Sequence, residues 1–175
     1  MTLREMPLGN VQIGPFTATQ PGLHEIACRA AGPITVPDNE TFANYVRKAL
    51  VDELRMANKY GSRSPVVISG NLDFVEFSST DGTWTVGVTL RSSNQYWVRE
   101  SVRYKFETSF FAESACNATA QAFMPAVQDL IGKLIQSPRF AKMFPAAAPP
   151  PPPPSAAVPA PPPTPAPEPT ASPAS

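Results

Sequence analysis

The chain has 175 residues and 23 prolines, and 15 of those prolines fall between Pro145 and Ser175. That terminal stretch, about half proline with Glu168 as its one charge, cannot bury a core or pair strands, so folding is confined to residues 1–144. Fourteen Lys and Arg balance fourteen Asp and Glu, and this neutrality speaks against nucleic acid as the main partner.

No stretch approaches the roughly 20 consecutive apolar residues that a membrane span requires. Residues 1–10 include Arg4, Glu5, Pro7 and Gly9, have no apolar core of the signal-peptide kind, and are left open to disorder. Val11 to Phe16 alternates apolar and polar residues before a breaker and reads as a short first strand. Leu23 to Arg29 reads as a second extended segment, and Pro33 and Pro37 keep the following stretch out of helix. With Asp38 as N-cap, Phe42, Tyr45, Val46, Ala49, Leu50, Leu54 and Ala57 recur at helical spacing, predicting an amphipathic helix over about 40–59 that stops at Gly61.

A three-stranded meander follows. Its first strand is expected over 65–77, with Val66, Ile68, Leu72 and Phe74 on one face, and 78–82 forms a hairpin loop. The second strand, 83–91, points Trp84, Val86, Val88 and Leu90 to one side and threonines and Arg91 to the other. A third, 96–110, turns Tyr96, Val98, Val102, Tyr104, Phe106 and Phe110 inward and Arg99, Ser101, Arg103, Lys105 and Glu107 outward. Ser114 then caps a second helix over about 115–136, within which Pro125 is expected to cause a kink or a break. The expected architecture is an α+β two-layer sandwich: an antiparallel sheet of about four strands, two helices on one face, and a Pro/Ala-rich tail over 145–175. As polyproline II that tail would reach about 90–100 Å at about 3.1 Å per residue.

The run Phe42–Leu54 leading into Ile68-Ser69-Gly70-Asn71-Leu72 suggests a relationship. So do Trp84 in its hairpin, Tyr104-Lys105-Phe106, Ala115-Cys116 and Phe123–Ile131 ahead of Ser137-Pro138-Arg139-Phe140. Over about residues 10–144 the chain resembles small Gram-negative envelope lipoproteins of the YajG type and, more distantly, the lipopolysaccharide-assembly lipoprotein LptE. The resemblance implies a periplasmic or outer-membrane-associated accessory protein that binds other envelope components and does not catalyse. Members of those families carry a signal peptide and a lipidated cysteine near the mature N-terminus, and neither is seen in this sequence.

Cys28 and Cys116 are the two cysteines, and without a C-x-x-C pair they do not suggest zinc. Cys28 precedes the first helix and Cys116 opens the second. If both helices share a face of the sheet, the two would join in an oxidising compartment; otherwise they are reduced thiols, buried or far apart. His24, the single histidine, has no nucleophile elbow to serve, and no Gly-rich phosphate loop is present. Asp52-Glu53 falls on the polar side of the first helix and reads as solvation. No catalytic residue, metal site or cofactor is therefore expected.

Arg91, Arg99, Arg103 and Lys105 share the wet face of the meander with Trp97, diluted by Asp73 and Glu107. Two readings fit: a solvated face with cross-strand ion pairs, or a docking surface for an acidic partner such as anionic lipid, lipopolysaccharide or an envelope protein or assembly complex. The first strand, being short, is a further candidate as a pairing edge. A non-catalytic envelope binding protein is the favoured reading. One alternative is a ligand-binding or enzymatic domain with a pocket between sheet and helices, lined by Trp84, Tyr96, Tyr104, Phe106 and Phe123. The other is a structural subunit of a secretion or assembly machine.

Overall fold

Alternation of apolar and polar residues from Thr83 onward builds the central strand, around which the rest is arranged. The structure, a computed structural model, describes residues 2–148. Its strands are β1 (Gln12–Ala18), β2 (Glu25–Ala27), β3 (Pro33–Thr35), β4 (Val67–Ser78), β5 (Thr83–Ser92) and β6 (Trp97–Lys105). Its helices are α1 (Phe42–Met56), α2 (Ala112–Gln136) and α3 (Pro138–Lys142), with short 3-10 turns at Leu3–Glu5 and Pro37–Asn39. The main sheet runs β1-β4-β5-β6, and β2 and β3 form a separate antiparallel pair.

The α+β sandwich is as expected, with one correction to its sheet. β4, β5 and β6 are antiparallel, but β1 lies parallel to β4. A parallel neighbour needs a long crossover, and the β2–β3 pair followed by α1 supplies it. Alternation within a strand encodes its faces, not its direction, so β1 alone could not reveal this.

The inward face of the sheet carries Trp84, Val86, Val88, Leu90, Val98 and Val102, all buried. Phe42, Val46, Leu50 and Leu54 of α1 and Phe123, Val127, Leu130 and Leu134 of α2 close over it. Thr41, not Asp38, caps α1 by accepting from the Asn44 N–H at 3.1 Å. Asp38 and Asn39 have positive φ values of 60° and 51°, so the 3-10 turn after Pro37 leaves the helical path before α1 begins. α2 starts three residues earlier than expected, at Ala112, with Phe111 as its N-cap. It continues through Pro125 without a break. The carbonyl that this proline leaves without a helical donor belongs to Gln121, an exposed residue that water can reach.

A β-bulge between Leu72 and Phe74 changes which side chains of β4 face inward. Ile68 and Leu72 are buried before it, while Val75 and Phe77 take the inward positions after it. Phe74 is thereby placed on the outer face, 36% exposed, contrary to the uninterrupted alternation expected. Its ring covers Gly87, where a Cβ would sit 2.3 Å from the Phe74 Cζ. β6 likewise ends at Lys105, not 110: Phe106 N–H closes the last rung on the Gly82 carbonyl, and the chain then leaves the sheet. Phe110 (93% exposed) is therefore not inward, and neither is Tyr96 (50% exposed), which lies in the turn before β6 begins at Trp97.

Both ends of the folded region are tied to each other. Leu3 is buried, and the Lys59 ammonium donates to the carbonyls of Met6 and Leu8 at 2.8 and 2.9 Å, so residues 2–10 are part of the domain. Gly9 N–H donates to the Pro145 carbonyl, and Leu8 bridges to Ala146, which carries domain contacts two residues past the expected boundary. The polyproline reading of the tail lies outside the described residues.

The packing of Phe74 on Gly87 is testable. Gly87→Ala should cost about 1–3 kcal/mol through overpacking. In a Phe74→Ala background, where the obstructing ring is gone, the same change should cost less than about 0.5 kcal/mol. Urea denaturation of the four chains measures both; equal costs in the two backgrounds would refute the contact.

Candidate functional site

Both helices lie on one side of the main sheet, leaving the other side open. Strand register orders that open face into cross-strand rows. Ser69, Arg91 and Trp97 form one; Asn71, Thr89 and Arg99 the next; then Phe74, Gly87 and Ser101; Glu76, Thr85 and Arg103; and Ser78, Thr83 and Lys105. Neighbouring strands lie about 4.8 Å apart, so the five side chains singled out from the sequence share one continuous surface.

They are not equivalent. The Arg99 Nε donates to Asp73 Oδ2 at 3.0 Å, and the same carboxylate accepts from Thr89 Oγ1 at 2.7 Å and Asn71 Nδ2 at 2.9 Å. Arg99 is thus held in a cross-strand ion pair. Among the described residues no carboxylate pairs with Arg91, Arg103 or Lys105. Trp97 is 46% exposed, and the Arg139 guanidinium of α3 stands 5.4 Å from its ring centroid. Phe74 adds an apolar centre that an unbroken alternation hides, because only the bulge turns it outward.

Strand β1 is an edge, as expected of a short first strand, but it is poorly suited to further pairing. Pro15 interrupts it, and Arg47 of α1 donates to its Gly14 and Ile13 carbonyls at 2.8 and 3.2 Å.

One end of the sheet is pinned covalently. Cys28 and Cys116, 88 residues apart, form a disulfide with a Cα–Cα separation of 6.0 Å. The bond ties the β2–β3 turn to the start of α2. Next to it Arg29, with φ at 47°, donates to Ser79 Oγ (2.9 Å), the Ser79 carbonyl (3.1 Å) and the Phe110 carbonyl (3.1 Å). Phe110 and Phe111 project from this end, 93% and 74% exposed.

On the core side of the sheet a cavity of about 460 Å³ lies between the β2–β3 pair and β4, past Leu23, Ile26, Leu72, Val75 and Phe77, and not among the aromatics expected from the sequence. Trp84 and Phe123 are buried with ring centroids 4.8 Å apart, packed with Phe42 and Phe77, while Tyr96 lies exposed in the β5–β6 turn. A groove of about 450 Å³ runs along the solvent side of α1 and α2, past Tyr45, Ala49, Met56, Met124, Val127 and Ile131. Burial raises the Tyr45 phenol above its ordinary range. The hydrogen bond to Glu40 holds the Lys48 ammonium above its own. His24 is exposed with Nδ1 3.1 Å from the Gly22 carbonyl. Among the described residues no cluster of His, Cys, Asp or Glu could hold a metal ion, and no helix is long and apolar enough to cross a membrane.

Comparison with known proteins adds little. No family model matches the chain, and no curated protein matches it. Among solved structures it is similar to the crystal structure of protein XCC0632 from Xanthomonas campestris, of the DUF330 family. The identity is 10% and the TM-score 0.47, covering 73% of this chain and 84% of the other. At that identity and TM-score the likeness supports no functional assignment, and nothing found supports a specific kinship with the lipopolysaccharide-assembly lipoprotein.

The disulfide is open to direct test. Protein denatured without reductant should show no free thiol. Removing the bond with Cys28→Ala and Cys116→Ala should lower stability by about 4.5 kcal/mol in the chain-entropy account of an 88-residue separation. Two free thiols, or an unchanged urea midpoint, would contradict the pairing.

Proposed function

We propose that this chain is a non-catalytic binding protein of the cell envelope, docking through its open sheet face onto a polyanionic surface. One observation carries the reading. A four-stranded sheet has both helices on one side, and its other side presents Arg91, Arg103 and Lys105, without carboxylate partners among the described residues, around the exposed rings of Phe74 and Trp97. Unpaired cations on a flat, partly aromatic face suit a partner that offers many anionic groups, as anionic lipid headgroups or lipopolysaccharide do. The Cys28–Cys116 disulfide favours an oxidising, extracytoplasmic compartment. The apolar inward face of the sheet favours binding over catalysis.

Cosedimentation with phosphatidylcholine vesicles, with or without phosphatidylglycerol, tests this. The chain should bind only the anionic vesicles, and salt should release it. Arg91→Glu with Arg103→Glu should weaken binding at least about thirtyfold, from about 1 kcal/mol per cation at an anionic surface. Arg99 is left intact because Arg99→Glu would place a carboxylate beside Asp73. Equal binding to neutral vesicles, or full binding by the folded double variant, would overturn the reading. If vesicles fail to bind but an envelope complex is retained through the same two arginines, the polyanion is a protein.

A further inference from the structure

On the opposite side of the molecule, the two helices leave a second surface that the sheet-face reading does not use. We propose that the groove between α1 and α2 receives a cationic amphipathic helix of a partner protein. Its floor is apolar, formed by Ala49, Val127 and Ile131, and Met56 and Met124 stand at its lips 68% and 55% exposed. Methionine is unbranched and polarisable, and it adapts to the varied ridges of an incoming helix. Exposed methionines over an apolar floor match the way an amphipathic helix lays its i, i+3, i+4, i+7 stripe into a groove.

Charge selects the kind of helix. Asp38, Glu40, Asp52 and Glu53 border the groove; Lys48 is the cation among the lining residues and is paired with Glu40, and Arg55 stands 3.5 Å from Asp52 in an exposed pair, which leaves the rim net acidic. The solvation role read for Asp52-Glu53 in the sequence is therefore incomplete: these carboxylates rim an apolar trough and complement lysine or arginine flanking a partner's apolar stripe. Length agrees as well. The lining runs from Pro37, just before α1, to Met56 at its end, and α1's 15 residues span about 22 Å, some four turns of a partner helix.

Other occupants fit less well. No buried side-chain polar atom among the described residues lacks a partner, so nothing in the floor waits to orient a small polar ligand. The chain's own tail carries only Glu168, the wrong charge for this rim. The basic sheet face of a second copy is too broad to enter a groove between two helices.

The probe is a fluorescent amphipathic peptide of about 18 Leu and Lys residues, five helical turns, titrated by anisotropy against the full chain. It should bind and be released by salt, while a Leu and Glu peptide of the same spacing should not bind. Asp52→Lys with Glu53→Lys should weaken binding at least about tenfold, through loss and reversal of two rim charges. Met124→Lys, on an exposed position of α2, removes an apolar lip and adds a charge of the probe's own sign, and should weaken it as much. The sheet-face variant, Arg91→Glu with Arg103→Glu, should leave peptide affinity unreduced, which separates this proposal from the vesicle test. Unchanged affinity in the groove variants would overturn it. So would displacement of the probe by a peptide of residues 149–163, which would assign the groove to the chain's own tail.

Discussion

The burial of Trp84 is the constraint on which the rest of the architecture depends. Its indole is fully enclosed on the inner face of the sheet near the β4–β5 hairpin, in contact with Phe42, Phe77 and Phe123, and its ring N–H donates to the Thr119 carbonyl of α2 at 2.8 Å. A buried indole N–H left unpaired would cost about 1–3 kcal/mol, so α2 must lie where a carbonyl can meet it. That requirement sets α2 over β5 and β6, and α1 then covers β1 and β4. Two consequences follow. The sheet is covered on one side only, and the helices, each seated over its own half of the sheet, leave a trough between their outer flanks.

Neutral overall charge conceals a segregation. The open sheet face collects Arg91, Arg99, Arg103 and Lys105, and the helical trough collects Asp38, Glu40, Asp52 and Glu53. Zero net charge argues against a nucleic-acid partner when charge is averaged over the surface. A protein with one basic face and one acidic groove has different possibilities, since each field acts over about a Debye length and not across the molecule.

How much of this was readable in the chain differs from element to element. Trp84, Val86, Val88 and Leu90 announce their strand because one face is dry and the next residue wet, a period that solvent imposes locally. The stripes of α1 and α2 are readable for the same reason. Phe74 was misplaced because a bulge at one residue reverses the period, and bulges leave no mark in composition. Phe110 was misplaced because β6 stops where its hairpin partner ends, at the rung between Phe106 and Gly82. Among the candidate functional residues, the five on the wet face were found from alternation. Met56 and Met124 were not, because an exposed methionine at the margin of a helical stripe looks like surface until a second helix stands beside it.

The sequence by itself determined the α+β class, the two helices and the meander, because these depend on neighbours within a few residues and on contact with water. Only the tertiary structure decided the parallel placement of β1, the joining of Cys28 to Cys116, the pairing of Arg99 with Asp73 and the acidic trough. Each of these brings together residues from separate elements, and the chain acquires those distances only when burial of the sheet's inner face closes the helices over it.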